Sequence, residues 1–408
     1  MIKKILKYTK NLILVALGLV GIYLFNLFFM KPYSIDHFLG KELVIGLVDS
    51  PEAMTYIGIF DRFNWLTGHN SNLSIPKKDD RENSIEQYEH VIKTLYKYED
   101  SSLTEVQKNT KKIAIFDAEN NLKQVKEFPH HDYPLNQIGG IHLNTIEFLS
   151  DMHPIRNESE AEDFISRANL IKKVYEGVLA DLEDQASAGI FPPEFVYDHV
   201  IDQLSEFISY DYNEHPLYTQ FLRKVKELNV GQEKEKLFED QIKKAIDESV
   251  TPGFKILRDF MMRTKQYANK NHGIWSQPNG DEYYKLRIRS YTTTDYSPEE
   301  IHQMGLQEVD RISSRMREIL TELGYDKNKT VGELMNELNE NPEFLYEDTP
   351  DRKEIVVNDY TEMMHEAIEV MEDYFHTMPK SEVIVKAVPE YSEQTAAGGY
   401  YQAPALDG

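Results

Sequence analysis

Cysteine is absent from the sequence. That single absence removes disulfides, thiolate zinc ligands, a cysteine nucleophile and a lipid-modified cysteine anchor together. Basic residues are scarce: 45 against 69 acidic ones, a formal net charge of −24. The imbalance deepens along the chain, because five lysines and no acid lie in residues 1–31, which leaves 40 basic and 69 acidic residues beyond them, a net of −29. Such a surface repels nucleic acid and anionic headgroups, so no nucleic-acid partner is expected. The phosphate-cradling G-x-x-x-x-G-K-[ST] and G-x-G-x-x-G patterns are missing, as is the G-x-S-x-G nucleophile elbow. No repeat of fixed period is present, which excludes a solenoid.

What the chain does have begins at its N-terminus. The run from Leu12 to Met30 is apolar except for Gly18, Gly21 and Asn26. At ~1.5 Å per residue it spans ~28 Å, close to the hydrocarbon thickness of a bilayer. Lys3, Lys4, Lys7 and Lys10 precede it and Lys31 follows. The positive-inside rule then predicts a cytoplasmic N-terminus and an extracytoplasmic main domain, in a single-pass protein of the cell membrane. A cleaved signal peptide would need a small-residue cleavage site. Phe25-Asn26-Leu27-Phe28-Phe29-Met30 offers none, so the reading is an uncleaved signal-anchor. The predicted division is 1–31 for the cytoplasmic stub and transmembrane anchor, and 32–408 for the exported domain.

Beyond the anchor the dominant pattern is helical, and the predicted fold is mainly α. Ser159 and Glu162 have capping-box spacing for a helix over 159–188. Its stripe is Phe164, Ala168, Ile171, Val174, Val178 and Leu182, and Gly189 is its stop. Pro192-Pro193 opens a second helix with Val196, Val200, Leu204 and Phe207 inward. Further stripes run through Leu217, Phe221, Val225 and Leu228, and through Leu237, Ile242 and Ile246. Pro252 is expected to start a helix reaching about Ala268. Ser297-Pro298-Glu299-Glu300 caps another, with Ile301, Met304, Val309, Ile312, Met316 and Leu320 inward and an end near Gly324. A last helix over 354–376 would bury Tyr360, Met364, Ala367, Met371 and Tyr374. After Pro379 the texture changes. The β-branched run Val383–Val388, ending at Pro389, and the Gly398-Gly399 turn before Tyr400-Tyr401 predict a small, incomplete β-sheet near the C-terminus.

Chemistry is harder to find. A helical zinc-peptidase site needs two histidines four apart with a glutamate between. The nearest approach, His365-Glu366-Ala367-Ile368-Glu369, has glutamate where the second histidine belongs and reads as a charged helix face. His130-His131 reads as a surface pair in a polar loop beside Pro129 and Pro134. The abundant carboxylates show no apolar setting that would tune a pair for acid–base work. One segment stands out, Gly273 to Gly305, GIWSQPNGDEYYKLRIRSYTTTDYSPEEIHQMG, read as an aromatic-anchored loop leading into a capped helix. Either Trp275, Tyr283 and Tyr284 pack this loop onto the helices, or they and Arg287 line a peptide cleft.

That segment also resembles the signature region of the bacterial domain-of-unknown-function 885 family, whose members are similar to all-helical zinc metallopeptidases of the gluzincin kind. Gln137-Ile138-Gly139-Gly140, His153-Pro154-Ile155, Gly189-Ile190-Phe191-Pro192-Pro193, Val383-to-Pro389 and Tyr400-to-Gly408 fall in the family's order. The resemblance implies that the chain is the N-terminal part of such a domain, truncated before an H-E-x-x-H-type helix. No residue here matches the family's zinc ligands or general base. Zinc is expected only for a complete member, and no catalytic or metal residue and no cofactor is assigned to this chain. The sheet segments, with Tyr400 and Tyr401, would lie beside bound peptide. Two functions follow. One is the cleft-forming portion of a membrane-anchored zinc-peptidase-like protein, inactive alone. The alternative is a non-catalytic, membrane-anchored helical module that binds peptide or an envelope protein.

Overall fold

The computed structural model describes residues 2–388 and 398–401, with side chains from Thr9 onward. Helix makes up 71% of the described residues, and no β-sheet occurs among them. The mainly α class read from the periodicity therefore holds. The chain divides into two compact units, the first running to Leu286 and the second starting at Arg287.

The apolar run lies in α1 (Ile2–Phe29), whose Thr9–Phe29 stretch is long and apolar enough to cross a membrane and is almost wholly uncovered. Asn26, its polar interruption, is buried and closes the helix end. The Asn26 Nδ2 donates to the Lys31 carbonyl at 2.9 Å, and Oδ1 accepts from the Tyr33 N–H at 3.0 Å. Next come α2 (Ile35–Val48), capped by the Ser34 hydroxyl, α3 (Pro51–Ile57), capped by Ser50, and the short α4 (Asn64–Thr67). A hairpin of α5 (Asp80–Leu95) and α6 (Glu105–Glu127) follows. Ile35 and Phe38 of α2 form a small core with Leu95 and Tyr98. The Tyr98 hydroxyl donates to the Pro32 carbonyl at 2.8 Å, and burial pushes its pKa up to about 12.

The main core of the first unit lies among α7 (Ile141–Glu147), α8 (Glu158–Ser187), α9 (Glu194–Ser209), α10 (Pro216–Glu227), α11 (Gln232–Ala245) and α12 (Thr251–Thr264). The α8 stripe from Phe164 to Leu182 and the α9 stripe from Val196 to Phe207 are buried as their spacing requires. Phe164 meets Phe221 of α10 at 4.9 Å between ring centroids, and Tyr175 meets Phe254 of α12 at 5.5 Å.

Three details differ from the sequence reading. Asn157, rather than Ser159, caps α8: its side chain accepts from the Glu160 N–H at 3.1 Å, which sets the helix start two residues earlier. The inward residue of α11 is Phe238, and Leu237 is exposed, because Phe238 stands four residues before Ile242 and Leu237 five. Pro252 stands in the first turn of α12, where its missing N–H is tolerated, but α12 continues from α11 through a π-turn at Ile246–Val250 and ends at Thr264 rather than near Ala268. The stop at Gly189 stands as expected, at φ +76, with the Ile190 N–H donating back to the Gln185 carbonyl.

The boundary between the units falls within α13 (Gly280–Thr292). In the second unit, α14 (Pro298–Glu322) begins with the capping box at Ser297 and Glu300, and α15 (Val331–Glu340) with another at Thr330 and Glu333. Then comes α16 (Arg352–Met371). Here the predicted burial fails. Of the α14 stripe only Leu320 is buried, while Met304, Val309 and Ile312 are exposed. No residue of α16 is buried, and Tyr360, Met371 and the following Tyr374 are exposed. Periodicity states which face is apolar; burial needs a second surface, and none covers these faces among the described residues. The predicted sheet is likewise not formed. Val383–Val388 and Gly399–Tyr401 are irregular, since a strand exists only by pairing and neither segment has a ladder partner among the described residues. Pro389 and Gln402–Gly408 lie outside those residues.

The cap assignment is testable by urea unfolding of the detergent-solubilised chain. Asn157→Ala should cost about 1 kcal/mol, whereas Ser159→Ala, inside the first turn, should leave the midpoint unchanged or slightly raised. Equal losses from both would return the cap to Ser159.

Candidate functional site

Two polar clusters organise the first unit. The first is centred on Arg167, in phase with Phe164 and Ile171 on α8 and completely buried. Its Nε donates to the Asn72 carbonyl at 2.9 Å and its Nη1 to His153 Nδ1 at 2.8 Å. Nη2 reaches the Thr55 hydroxyl at 2.6 Å and the carbonyls of His69 and Pro51 at 2.9 and 3.3 Å. The guanidinium also lies over the Phe148 ring, 4.8 Å from its centroid. An arginine has no acceptor, so His153 Nδ1 is unprotonated and its Nε2–H donates to the Glu160 carbonyl at 3.0 Å. Burial, with the Arg167 cation beside it, pushes His153 down to about 3 and keeps it neutral. Arg167 itself is lowered by burial to about 10, still charged at neutral pH. At the rim Arg156 bridges Asp61 (2.5 Å) and Glu160 (2.9 Å). All three guanidinium nitrogens of Arg167 are engaged by the protein, so this cluster holds chain rather than ligand.

The second cluster joins loops. Asp132 Oδ1 accepts from the Tyr283 hydroxyl at 2.6 Å and Oδ2 from Gln124 Nε2 at 2.5 Å. Gln185 Nε2 of α8 donates to the carbonyls of His130 and Asp132 at 2.6 and 2.7 Å. His131 donates to the Pro278 carbonyl at 2.7 Å and sets its ring edge on Phe128. It is buried, contrary to the surface reading of the His130-His131 pair, because Phe128 and Tyr283 wall it in. Gln277 Nε2 donates to the Tyr133 hydroxyl, which donates to the Phe191 carbonyl at 3.4 Å. Asn269 pairs with the backbone at Pro192 and Glu194 (both 3.1 Å). Gln203 links the Gln137 carbonyl to the His142 ring at 3.1 and 3.0 Å. Gly189–Pro193 and Gly273–Tyr283, far apart in sequence, thus meet through Gln277 and Tyr133, while Gln203 separately ties Gln137 to α7.

Much of Gly273–Gly305 is not the loop that was expected. Ile274–Ser276 is a 3-10 turn and Gly280–Thr292 is α13. Asn279 at φ +55 turns the chain, and Asp281 and Glu282 favour the helix start electrostatically. Gly280 is required there: a Cβ would stand 2.0 Å from the Ile274 carbonyl oxygen.

The six residues singled out for a peptide cleft are placed as follows. Tyr283 is 2% exposed and packs with Phe128 and Leu286, so it belongs to the core. Trp275 and Tyr284, in the same unit, are exposed. Arg287, in the second unit, stacks 4.9 Å from the Tyr291 ring centroid and donates to its hydroxyl at 2.9 Å. Tyr400 and Tyr401, also in the second unit, are exposed. His365, Glu366 and Glu369 form an exposed face of α16. No group of three residues suited to a metal ion occurs among the described residues.

Residues 51–408 match the family described as "Bacterial protein of unknown function (DUF885)". The chain belongs to that family. Among solved structures, the "putative lipoprotein from Colwellia psychrerythraea" is similar with a TM-score of 0.79 at 25% identity, covering 90% of this chain and 66% of its own. A "putative lipoprotein of unknown function from Shewanella oneidensis" has a TM-score of 0.56 at 15% identity, covering 92% of this chain and 65% of its own, and speaks to the fold alone. The chain thus spans just under two thirds of the length of each. No curated protein matches it. The DUF885 likeness read from the short segments is therefore a family membership.

Sequence reasoning missed Arg167. Its signal was present: an arginine three residues after Phe164 and four before Ile171 stands in the phase of the buried stripe.

Acid sensitivity follows from the buried rings. Burial lowers His142 to about 4, His153 to about 3 and His215 to about 4. A folded pKa below the unfolded value of about 6.5 means that the unfolded chain binds the extra protons. The contribution is intact above about pH 6.5 and is lost as pH falls toward the folded values, by about 1.4 kcal/mol per unit and histidine. Carboxyls raised by burial, Asp163 and Asp181, oppose this only at lower pH, where they protonate. The urea midpoint should dip slightly from pH 8 to 7, as buried Lys224, lowered to about 8, takes up its proton, and then fall steeply from about pH 6.5 to 4.5; a flat profile throughout would contradict the neutral-histidine assignment.

Proposed function

We propose that the chain is the membrane-tethered, N-terminal wall of a longer, peptidase-like DUF885 protein, shaping a peptide cleft without carrying the hydrolytic chemistry. One observation carries this reading. The 128–133 loop is tied to the Gly273–Tyr283 segment in the second polar cluster, and its His131 and Asp132 are occupied by protein partners. Such groups fix the shape of a wall; they are not poised to act on a substrate. The coverage of 66% of the Colwellia relative supports a longer whole, as do the uncovered apolar faces of α14 and α16.

Tethering falls to α1. Relatives described as lipoproteins suggest attachment or secretion, and this chain has no cysteine to carry lipid. The lysines before the apolar run set its N-terminus in the cytoplasm and its bulk outside, in one pass as a signal-anchor. Trp275 and Tyr284 on the first unit offer aromatic faces to peptide, as do Tyr400 and Tyr401 on the second, where Arg287 offers a cation. In the complete protein, Val383–Val388 and Gly399–Tyr401 would pair into a small sheet whose edge accepts an extended peptide. The uncovered faces of the second unit also favour a second reading, a non-catalytic module that binds a peptide or an envelope protein.

Metal analysis and peptide turnover by the purified 408-residue chain test the proposal. No stoichiometric zinc and no chelator-sensitive cleavage of a quenched peptide library are expected. Roughly one zinc per chain with cleavage that a chelator abolishes would sink it.

A further inference from the structure

The elements that follow α1 expose apolar side chains in unusual density. The second half of α2 reads Leu43-Val44-Ile45-Gly46-Leu47-Val48, with Leu43 64% and Val48 55% exposed. Six successive apolar residues at about 100° per residue point in every direction around a helix axis, so one flat protein surface cannot cover them. The turn through α4 adds Phe63, Trp65 (81% exposed) and Leu66 (71% exposed). The charges of α2 are drawn away from this region: Lys41 and Glu42 pair at 2.8 Å with side chains only 10% and 13% exposed.

The position of α2 beside α1 explains what such a surface would meet. The Tyr23 ring of α1 stands edge-on to His37 of α2, with centroids 5.4 Å apart. Tyr23 lies six residues before Phe29, about 9 Å back along the helix, so α2 sets out from the level of the last two turns of α1. The junction is fixed by Asn26 at the helix end and by Tyr98 on Pro32, with Lys31 donating to the Lys97 carbonyl at 2.9 Å. In a bilayer-spanning α1 those last turns sit where headgroups meet acyl chains. Tryptophan and phenylalanine are among the residues that settle at that boundary.

We propose that Leu43–Val48 of α2 and the Phe63–Leu66 turn are seated in the membrane interface, so that the bilayer itself covers them and α1 is the first of two contacts. This rests on reading α1 as an anchor. The occupant is the apolar boundary of a zwitterionic lipid surface, because a chain with a net charge of −29 beyond residue 31 gains nothing from anionic headgroups. The second contact would fix the tilt of the first unit over the membrane, which a single helix leaves free to swivel.

The cysteine-free sequence makes the test direct. Nitroxide labels are placed by Leu43→Cys, Val48→Cys and Leu66→Cys, with Leu237→Cys on α11 as the control, and the full chain is reconstituted in phosphatidylcholine vesicles. Collision with oxygen and with an aqueous nickel chelate then reports depth. Labels at 43, 48 and 66 should favour oxygen, at about 5–10 Å below the headgroup boundary, while the label at 237 favours nickel. Labels at 43, 48 and 66 as open to nickel as the control overturn the proposal. So does spin–spin broadening at 43 that vanishes on dilution with unlabelled chain, since a second copy is then the occupant. Flotation after a carbonate wash separates the two readings: a chain that stays with the vesicles but shows wet labels fails here alone, and one that washes off fails as an anchored protein.

Discussion

The buried guanidinium of Arg167 is the interaction on which the first unit depends. The stretch from Pro51 to Asn72 is built of short turns, α3, α4 and two 3-10 turns, and contributes only Met54 to the buried apolar set. Segments of that kind have little hydrophobic area to hold them down. Three of their carbonyls and the Thr55 hydroxyl instead converge on one side chain of α8, which also takes up His153 from the π-turn end. An unpaired buried cation would be costly, and losing the donor would leave those acceptors unpaired at about 1–3 kcal/mol each. The arrangement is stable because donors and acceptors are matched, with the carboxylates of Glu52, Asp163 and Asp61 supplying the surrounding negative field.

The second polar cluster uses the same logic for a different end. Asp132, His131 and Gln185 tie the 128–133 loop to α8 and to the Gly273–Tyr283 segment, where Trp275 and Tyr284 face outward. A wall of that kind can orient a ligand while taking no part in bond breaking. The second unit is of another character. Two of its helices, α14 and α15, start with well-formed capping boxes, yet among the described residues no surface covers the apolar faces of α14 and α16. Local signals for helix are complete there, and the tertiary partner is what they lack.

How much of this was legible depended on whether the cause was local. The stripes of α8 and α9, the Gly189 stop and the Ser297 box are set by spacing within one element, and sequence patterning located them. Asn157 competed with Ser159 for one cap, and only the backbone decided between them. Tyr283 and Tyr284 look equivalent in sequence, but α13 turns the first toward Phe128 and Asp132 and the second outward. His131 is buried by Phe128, three residues upstream, and by a tyrosine about 150 positions away. Burial of the stripes on α14 and α16 was misjudged because periodicity says nothing about whether a partner exists.

Hydrogen–deuterium exchange on the intact chain tests most directly that the first unit is a finished wall and the second an uncovered one. Amides of 51–72 and 128–140 should exchange nearly as slowly as the middle of α8, with α14 and α16 exchanging much faster. Arg167→Met should release 51–72 while α9 to α12 stay protected. Slow exchange in α14 and α16, or no change at 51–72 in that variant, would contradict the account.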